Sequence, residues 1–117
     1  MEQLILHLIG DYLFQTDWLA QNKTKKFLPA FIHALVYSLP FMILKPSLFA
    51  WMIIFTTHFF IDRYRLVKHW VIIVNQVKNS GPFGYDINKP DYIAFWLLII
   101  IDNTFHLAIN FLALKYL

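Results

Sequence analysis

Cysteine is absent from all 117 residues, so no disulfide framework and no thiolate metal site can form, and any metal must be held by nitrogen and oxygen. Charge is scarce. Asp, Glu, Lys and Arg make up 15% of the chain where a soluble domain has about a quarter, and hydrophobic residues make up 59%. Together these exclude an ordinary water-facing surface and point to lipid as the main solvent. There are only three glycines and no internal repeat, and the N-terminus lacks a basic stretch followed by an apolar core and a small-residue cleavage site. With His7 and Asp11 inside its first apolar run, the N-terminal segment reads as a retained span and not as a signal peptide. The length allows one domain.

What is present comes in long apolar blocks with polar breaks, and four of them approach the roughly 20 residues a membrane helix needs. The expected fold is all-α, an integral membrane four-helix bundle. It forms a single domain over 1–117 with spans at about 3–20, 27–44, 46–65 and 92–114. The first span ends in the polar run Gln21-Asn22-Lys23-Thr24-Lys25-Lys26, and the second stops at Lys45-Pro46, where proline starts a helix more readily than it continues one. That short turn makes the second and third helices antiparallel neighbours. Residues 66–90 are expected to form a cytoplasmic loop, in which the cationic amphipathic stretch 66–77 either prolongs the third helix or lies along the interface. Asn79 to Gly84 is turn chemistry, and Asp91 after Pro90 is the expected cap of the last helix. Trp18, Trp51, Trp70, Tyr92 and Tyr116 fall near span ends, as an interfacial aromatic belt requires.

Eight of the ten Lys and Arg residues lie in the first and third loops, which four crossings place on one side. By the positive-inside rule those loops are cytoplasmic, and both termini and the Lys45 turn face the other, non-cytoplasmic side. The net charge of +3 suits attraction to anionic lipid. Nucleic acid is not an expected partner, since no basic reading helix or aromatic platform is present. The lipid bilayer is, with anionic head groups and a homo-oligomeric assembly as further candidates.

The chemistry lies in what interrupts the apolar runs. An ionisable side chain at a membrane helix centre costs at least roughly 2.5 kcal/mol, so an apolar helix without a function carries almost none. Here the first span has His7, Asp11 and Gln15 at four-residue steps, which stacks them on one face. The third repeats the step with His58 and Asp62, the fourth reverses it with Asp102 and His106 and extends it to Asn110, and the second adds His33. Histidine nitrogen and carboxylate oxygen one turn apart on facing helices are what a divalent ion in a bundle needs. His7, Asp11, His33, His58, Asp62, Asp102 and His106 are therefore the candidate ligands for one or two ions. Zinc is the expected metal, and manganese and ferrous iron also suit the donors. Depth complicates a single site. Counting ~1.5 Å per residue puts Gln15, His33, His58 and Asp62 in the inner half of the membrane and His7 and His106 in the outer half.

Plainer readings accompany each of these. Interior polar groups also act as interhelical glue, worth on average about 0.6 kcal/mol each. His7 suits an outer-interface position, and His69, in the basic loop, suits a wet surface. Asp17 lies about 120° round the helix from Asp11 and suits pairing with Lys23 or Lys26. Arg63 and Arg65 suit snorkelling at the end of the third helix or, functionally, the holding of an anionic head group.

The run His7-Leu-Ile-Gly-Asp11-Tyr-Leu-Phe-Gln15-Thr-Asp17-Trp18-Leu-Ala-Gln-Asn-Lys23, then His33-Ala-Leu-Val-Tyr37, Thr57-His58-Phe-Phe-Ile-Asp62 and Asp102-Asn-Thr-Phe-His106, resembles the bacterial and phage membrane proteins of the domain of unknown function 3307 family. The resemblance covers nearly the whole chain and implies a compact multi-helix membrane protein, in a bacterial inner membrane, with no assigned activity. It departs at Asn103, where the family pattern has Gln. A more distant likeness, in the paired His and Asp of membrane helices, is to inner-membrane proteins labelled metal-dependent hydrolases.

These observations lead to an expected metal-dependent hydrolase of a lipid or membrane-associated ester or phosphoester. His33, His58, Asp62 and Asp11 would hold the ion, with Asp102 and His106 completing a second site or orienting the first. Asp11, Asp102 and Gln15 are the candidate catalytic groups, one uncoordinated Asp serving as general base. Lys23, Arg63, Arg65 and Asn103 are the candidates for holding substrate. Two rivals stand beside it: a non-catalytic metal or proton path through stacked polar residues, and a structural or interaction protein whose His/Asp network only fixes the fold.

Overall fold

Apolar blocks of this length, with their backbone groups satisfied internally, become helices. The computed structural model describes residues 1–117 and contains six α-helices and no strand. Helix α1 (Glu2–Leu8) runs on into a π-helical turn at Ile9–Leu13, and α2 (Asp17–Asn22) follows after a break. Helix α3 (Phe27–Ser38) tightens to a 3-10 stretch over Leu39–Leu44, which contains Pro40. Lys45, in the left-handed region at φ 50°, closes it. Ser47 caps α4 (Leu48–Arg63) by accepting from the Ala50 amide at 3.0 Å. Helix α5 (Leu66–Val74) and the long α6 (Asp91–Tyr116) complete the chain.

Three expectations change. The first span is not one helix over 3–20, because it widens into the π turn and stops at Phe14. Thr16 then starts α2 by accepting from the Leu19 amide at 3.3 Å. Stretch 66–77 does not prolong α4: Tyr64 ends that helix, and Arg65, left-handed at φ 52°, redirects the chain into α5. Asp91 is the first residue of α6 and not its cap, which is Pro90.

Four segments pack as a ring of antiparallel neighbours. The α1 and π segment meets α3 through His7–Tyr37 and Asp11–His33, and α3 meets α4 through His33–His58 and the bond from Trp51 Nε1 to the Ser38 carbonyl. Helix α4 meets α6 through His58–His106 and Ser47–Leu117, and α1 meets α6 through Gln3–Leu107 and His7–Asn103. The first and last residues therefore lie at the same end of the ring. The π turn comes so close to α3 that a Cβ on Gly10 would sit 2.7 Å from the Tyr37 carbonyl oxygen, so only glycine fits there.

The ring is polar inside and apolar outside. His7, Asp11, His33, His58, Asp62, His106 and Asn110 are buried, while Phe27, Leu28, Ile43, Leu48, Phe49 and Trp96 are exposed. Apolar packing concentrates at the end that holds the termini, in Leu6, Tyr37, Phe41, Ala50, Ile54 and Ala113. Two stretches, Phe27–Leu44 and Asp91–Tyr116, are long and apolar enough to cross a membrane.

Candidate metal centre

Asp11 reaches the interior from the π turn, His33 from α3, His58 and Asp62 from successive turns of α4, and Asp102 and His106 from successive turns of α6. Two groups of donors result, and Asp62 belongs to both.

The first group is Asp11, His33, His58 and Asp62, all buried. His33 Nε2 lies 2.9 Å from His58 Nε2, 3.2 Å from Asp11 Oδ1 and 3.3 Å from Asp62 Oδ2. His58 Nε2 lies 3.4 Å from Asp62 Oδ2 and 3.8 Å from Asp11 Oδ1. Four donors about 2.0–2.2 Å from one tetrahedral ion stand roughly 3.4 Å apart, so these edges have the size of a coordination shell. The second group is Asp62, Asp102 and His106. His106 Nε2 is 3.3 Å from Asp62 Oδ1 and 3.5 Å from Asp102 Oδ2. The Asp102 side chain is 30% exposed, so this three-donor group is open where the four-donor group is closed. This buried His/Asp cluster can hold a metal ion.

Ring contacts orient the donors. The His58 ring stacks on Tyr37 at 3.6 Å between centroids, and its Nδ1 lies 3.3 Å from His106 Nδ1. His33 Nδ1 is buried without a hydrogen-bond partner, so this ligand lacks the outer hydrogen bond that usually fixes a metal-binding imidazole.

A cation of the chain itself enters the first group. Lys23 Nζ donates to Asp62 Oδ2 at 2.6 Å and lies 3.5 Å from His33 Nε2 and 3.9 Å from Asp11 Oδ1. Burial disfavours its charge, but Asp62 and Asp11 outweigh that and raise its pKa above the ordinary lysine value. Lys23 thus pairs with Asp62, and Asp17 forms no ion pair with Lys23 or Lys26.

His7 is buried, not at an interface, and lies outside both groups. Asn110 Nδ2 donates to Tyr37 Oη at 2.7 Å, which leaves the tyrosine proton for His7 Nδ1 at 2.8 Å. His7 Nε2–H then donates to Asn103 Oδ1 at 2.9 Å, which also accepts from Tyr12. Both imidazole nitrogens are used, and Asn103 Oδ1 is taken up in the same network. His106, placed a tier away from His58 by counting residues, is brought beside it. Gln15 lies beyond the π turn and outside both donor groups, and its buried Oε1 has no partner. Arg63 donates to the Thr24 carbonyl at 3.0 Å.

Beside the open group lies a cavity of about 250 Å³, whose wall includes Asp62, Asp102, Lys23, Arg65 and Lys68 with Ile61, Phe83, Phe95, Leu98 and Ile99. Arg63 does not line it. Sequence reasoning missed Lys23 as a partner of the cluster, Tyr37 as the hub of the His7 network, and the Lys68, Phe83 and Phe95 wall. Only Tyr37 carried a signal, since it stands one helix turn from His33.

Comparison with curated proteins and with solved structures finds no match, so no named relative supports the distant hydrolase likeness. A family model described as protein of unknown function (DUF3307) matches residues 1–116, and the chain belongs to that family.

Proposed function

We propose that this protein is a membrane-embedded, metal-dependent hydrolase of a lipid or a membrane-associated ester or phosphoester. The observation that carries the reading is the first donor group: five donor–donor distances of 2.9–3.8 Å among four buried side chains from three segments. Polar glue needs pairwise hydrogen bonds, and it does not need four donors converging on one point.

The antiparallel ring is read as the membrane domain, a four-helix bundle. Its outward residues are apolar, its longest dimension is 45 Å, and a bilayer with its head groups is about 40–45 Å thick. The basic loops 21–26 and 63–89 lie at the end opposite the termini, which supports reading them, by the positive-inside rule, as the cytoplasmic side of a bacterial inner membrane with the termini outside.

The closed group serves as a structural site and the open one as the catalytic site. Zinc is the favoured ion. A bound divalent ion supplies Lewis acidity and acidifies a water toward neutral pH. Asp62, His106 and one oxygen of Asp102 would hold the ion beside the cavity. Asp102 has one oxygen beside His106 and the other without a hydrogen bond, so it can take the proton released as water attacks.

A second reading is favoured by Lys23. An ammonium 2.6 Å from Asp62 offsets one of the cluster's carboxylates without any metal, as a structural network or a non-catalytic ion path would require. Elemental mass spectrometry on protein purified in detergent without chelator separates the two. The hydrolase reading expects two ions per chain in wild type, one of them lost in His58→Ala and both in Asp62→Ala. No metal, even after reconstitution with zinc, manganese and ferrous iron, overturns it and leaves the network.

A further inference from the structure

The cavity beside the open donor group is lined by residues of two kinds. Arg65 and Lys68 line it and form no ion pair with any carboxylate of the chain, although the cavity also reaches Asp62 and Asp102. Lys23, a third cation of the lining, is already committed to Asp62. Two free cations on one concave surface make an anion site, and an arginine beside a lysine suits phosphate oxygens best. The apolar part of the lining includes Phe83, Phe95, Leu98 and Ile99.

The geometry that builds this lining is not incidental. Arg65 is held in the left-handed region at φ 52°, which costs a non-glycine residue about 1–3 kcal/mol. From there its Nη2 donates to the Pro82 carbonyl at 3.1 Å and so ties the 79–90 loop over the cavity. The loop fits against α5 through Gly84 at φ 92°, where a Cβ would lie 2.9 Å from the Lys68 carbonyl oxygen. The same contacts bring Phe83, next to Pro82, into the cavity lining, where its ring packs 5.4 Å from that of Phe95. One N–H of Arg65 goes to Pro82, which leaves the rest of the fork for a ligand.

We propose that this cavity binds a phosphate monoester carried on an acyl chain, with the phosphate on Arg65 and Lys68 and the first carbons of the chain against Phe83 and Phe95. A volume of about 250 Å³ is below that of a whole lipid, so the rest of the chain leaves through the mouth along Phe95 and Trp96, both exposed on α6. As a substrate assignment this rests on the hydrolase reading. As a binding site it stands on the cavity alone.

The test is calorimetric titration of the full chain in a non-ionic detergent with three probes: oleoyl lysophosphatidate, inorganic phosphate and mono-oleoylglycerol. Lysophosphatidate is expected to bind at least about tenfold more tightly than either of the others, because each lacks one half of the recognition. Lys68→Ala is expected to lose about tenfold for lysophosphatidate, the size of one charge-assisted hydrogen bond, and nothing for mono-oleoylglycerol. Equal binding of inorganic phosphate overturns the role of the apolar lining and assigns the site to free phosphate. Equal binding of mono-oleoylglycerol overturns the role of the cations, and no binding of lysophosphatidate overturns the proposal. The metal content of the same preparation keeps the two readings apart. Lysophosphatidate bound by metal-free protein leaves the site standing and sinks the hydrolase, whereas metal present without lysophosphatidate preference does the reverse.

Discussion

Replacing Lys23 by methionine removes the ammonium and keeps most of the stem, which makes it the sharpest single perturbation of the cluster. Its Nζ lies 2.6 Å from Asp62 Oδ2, with the lysine side chain 18% exposed and the aspartate 6%. Deleting one partner of a buried pair costs about 3–5 kcal/mol, because the other charge is left uncompensated. The exposure at Lys23 puts this variant at the lower end, about 3 kcal/mol. A divalent ion on Asp11, His33, His58 and Asp62 supplies the same compensation, and at about 100 times its Kd it adds roughly 2.7 kcal/mol to the folded state. Zinc should therefore restore most of what the substitution removes. Wild type should gain less, since its own ammonium must give way. The assay is thermal unfolding in detergent followed by the fluorescence of the four tryptophans, for both proteins, in chelator and in zinc. The expected result is a clear deficit for Lys23→Met in chelator and a larger zinc-induced shift for the variant than for wild type. Equal zinc shifts would refute the claim that lysine and ion share one site. Equal stability in chelator would refute the claim that Lys23 compensates Asp62.

Because Asp62 belongs to both donor groups, Asp62→Asn is expected to lose two ions while His33→Ala and His106→Ala lose one each, as counted by elemental mass spectrometry; two ions surviving in Asp62→Asn would show that the groups do not share it. Tyr37→Phe leaves Asn110 Nδ2 and His7 Nδ1 without partners, so a loss of about 1–3 kcal/mol is expected in thermal unfolding, with metal content unchanged. Gly10→Ala drives a methyl against the Tyr37 backbone and should cost about 1–3 kcal/mol by overpacking, and an unaltered melting curve would show that the π turn can shift. The absence of native cysteine makes topology directly readable: Lys78→Cys should react with an impermeant maleimide only after the membrane is opened, and Tyr116→Cys from outside intact cells.

Much of the interior was legible because helix periodicity converts spacing into position. His58 and Asp62, and Asp102 and His106, are each one turn apart in continuous helices, and they meet across the ring as the four-residue step implies. The first segment was legible only as far as Asp11. Its π turn, where Gly10 lies against Tyr37 in a tertiary contact that no local pattern reports, ends the helix at Phe14, so the four-residue step no longer fixes the position of Gln15. The depth count failed for His106 for a related reason. It treated each span as beginning at one membrane edge, whereas α6, at 26 residues, extends ~39 Å and overshoots its neighbours.

Lys23 shows why the remainder could not be read. In the sequence it belongs to a polar run with Lys25 and Lys26, where it reads as a candidate for holding substrate or for pairing with Asp17 and not as a partner of Asp62. What separates it from them is its direction: it points to Asp62 and Asp11, while Lys25 and Lys26 stay exposed. The break at Phe14–Thr16 that precedes α2 is a departure from one continuous helix that the apolar pattern of the first span does not announce. Two buried aspartates in an apolar ring call for compensating charge. One lysine offsets one of them, and it sits at the end of the cluster away from the termini, on the wall of the cavity through which an ion or a head group would enter. The compensating charge and the route of entry thus coincide, and whatever binds Asp62 from that side must first displace Lys23.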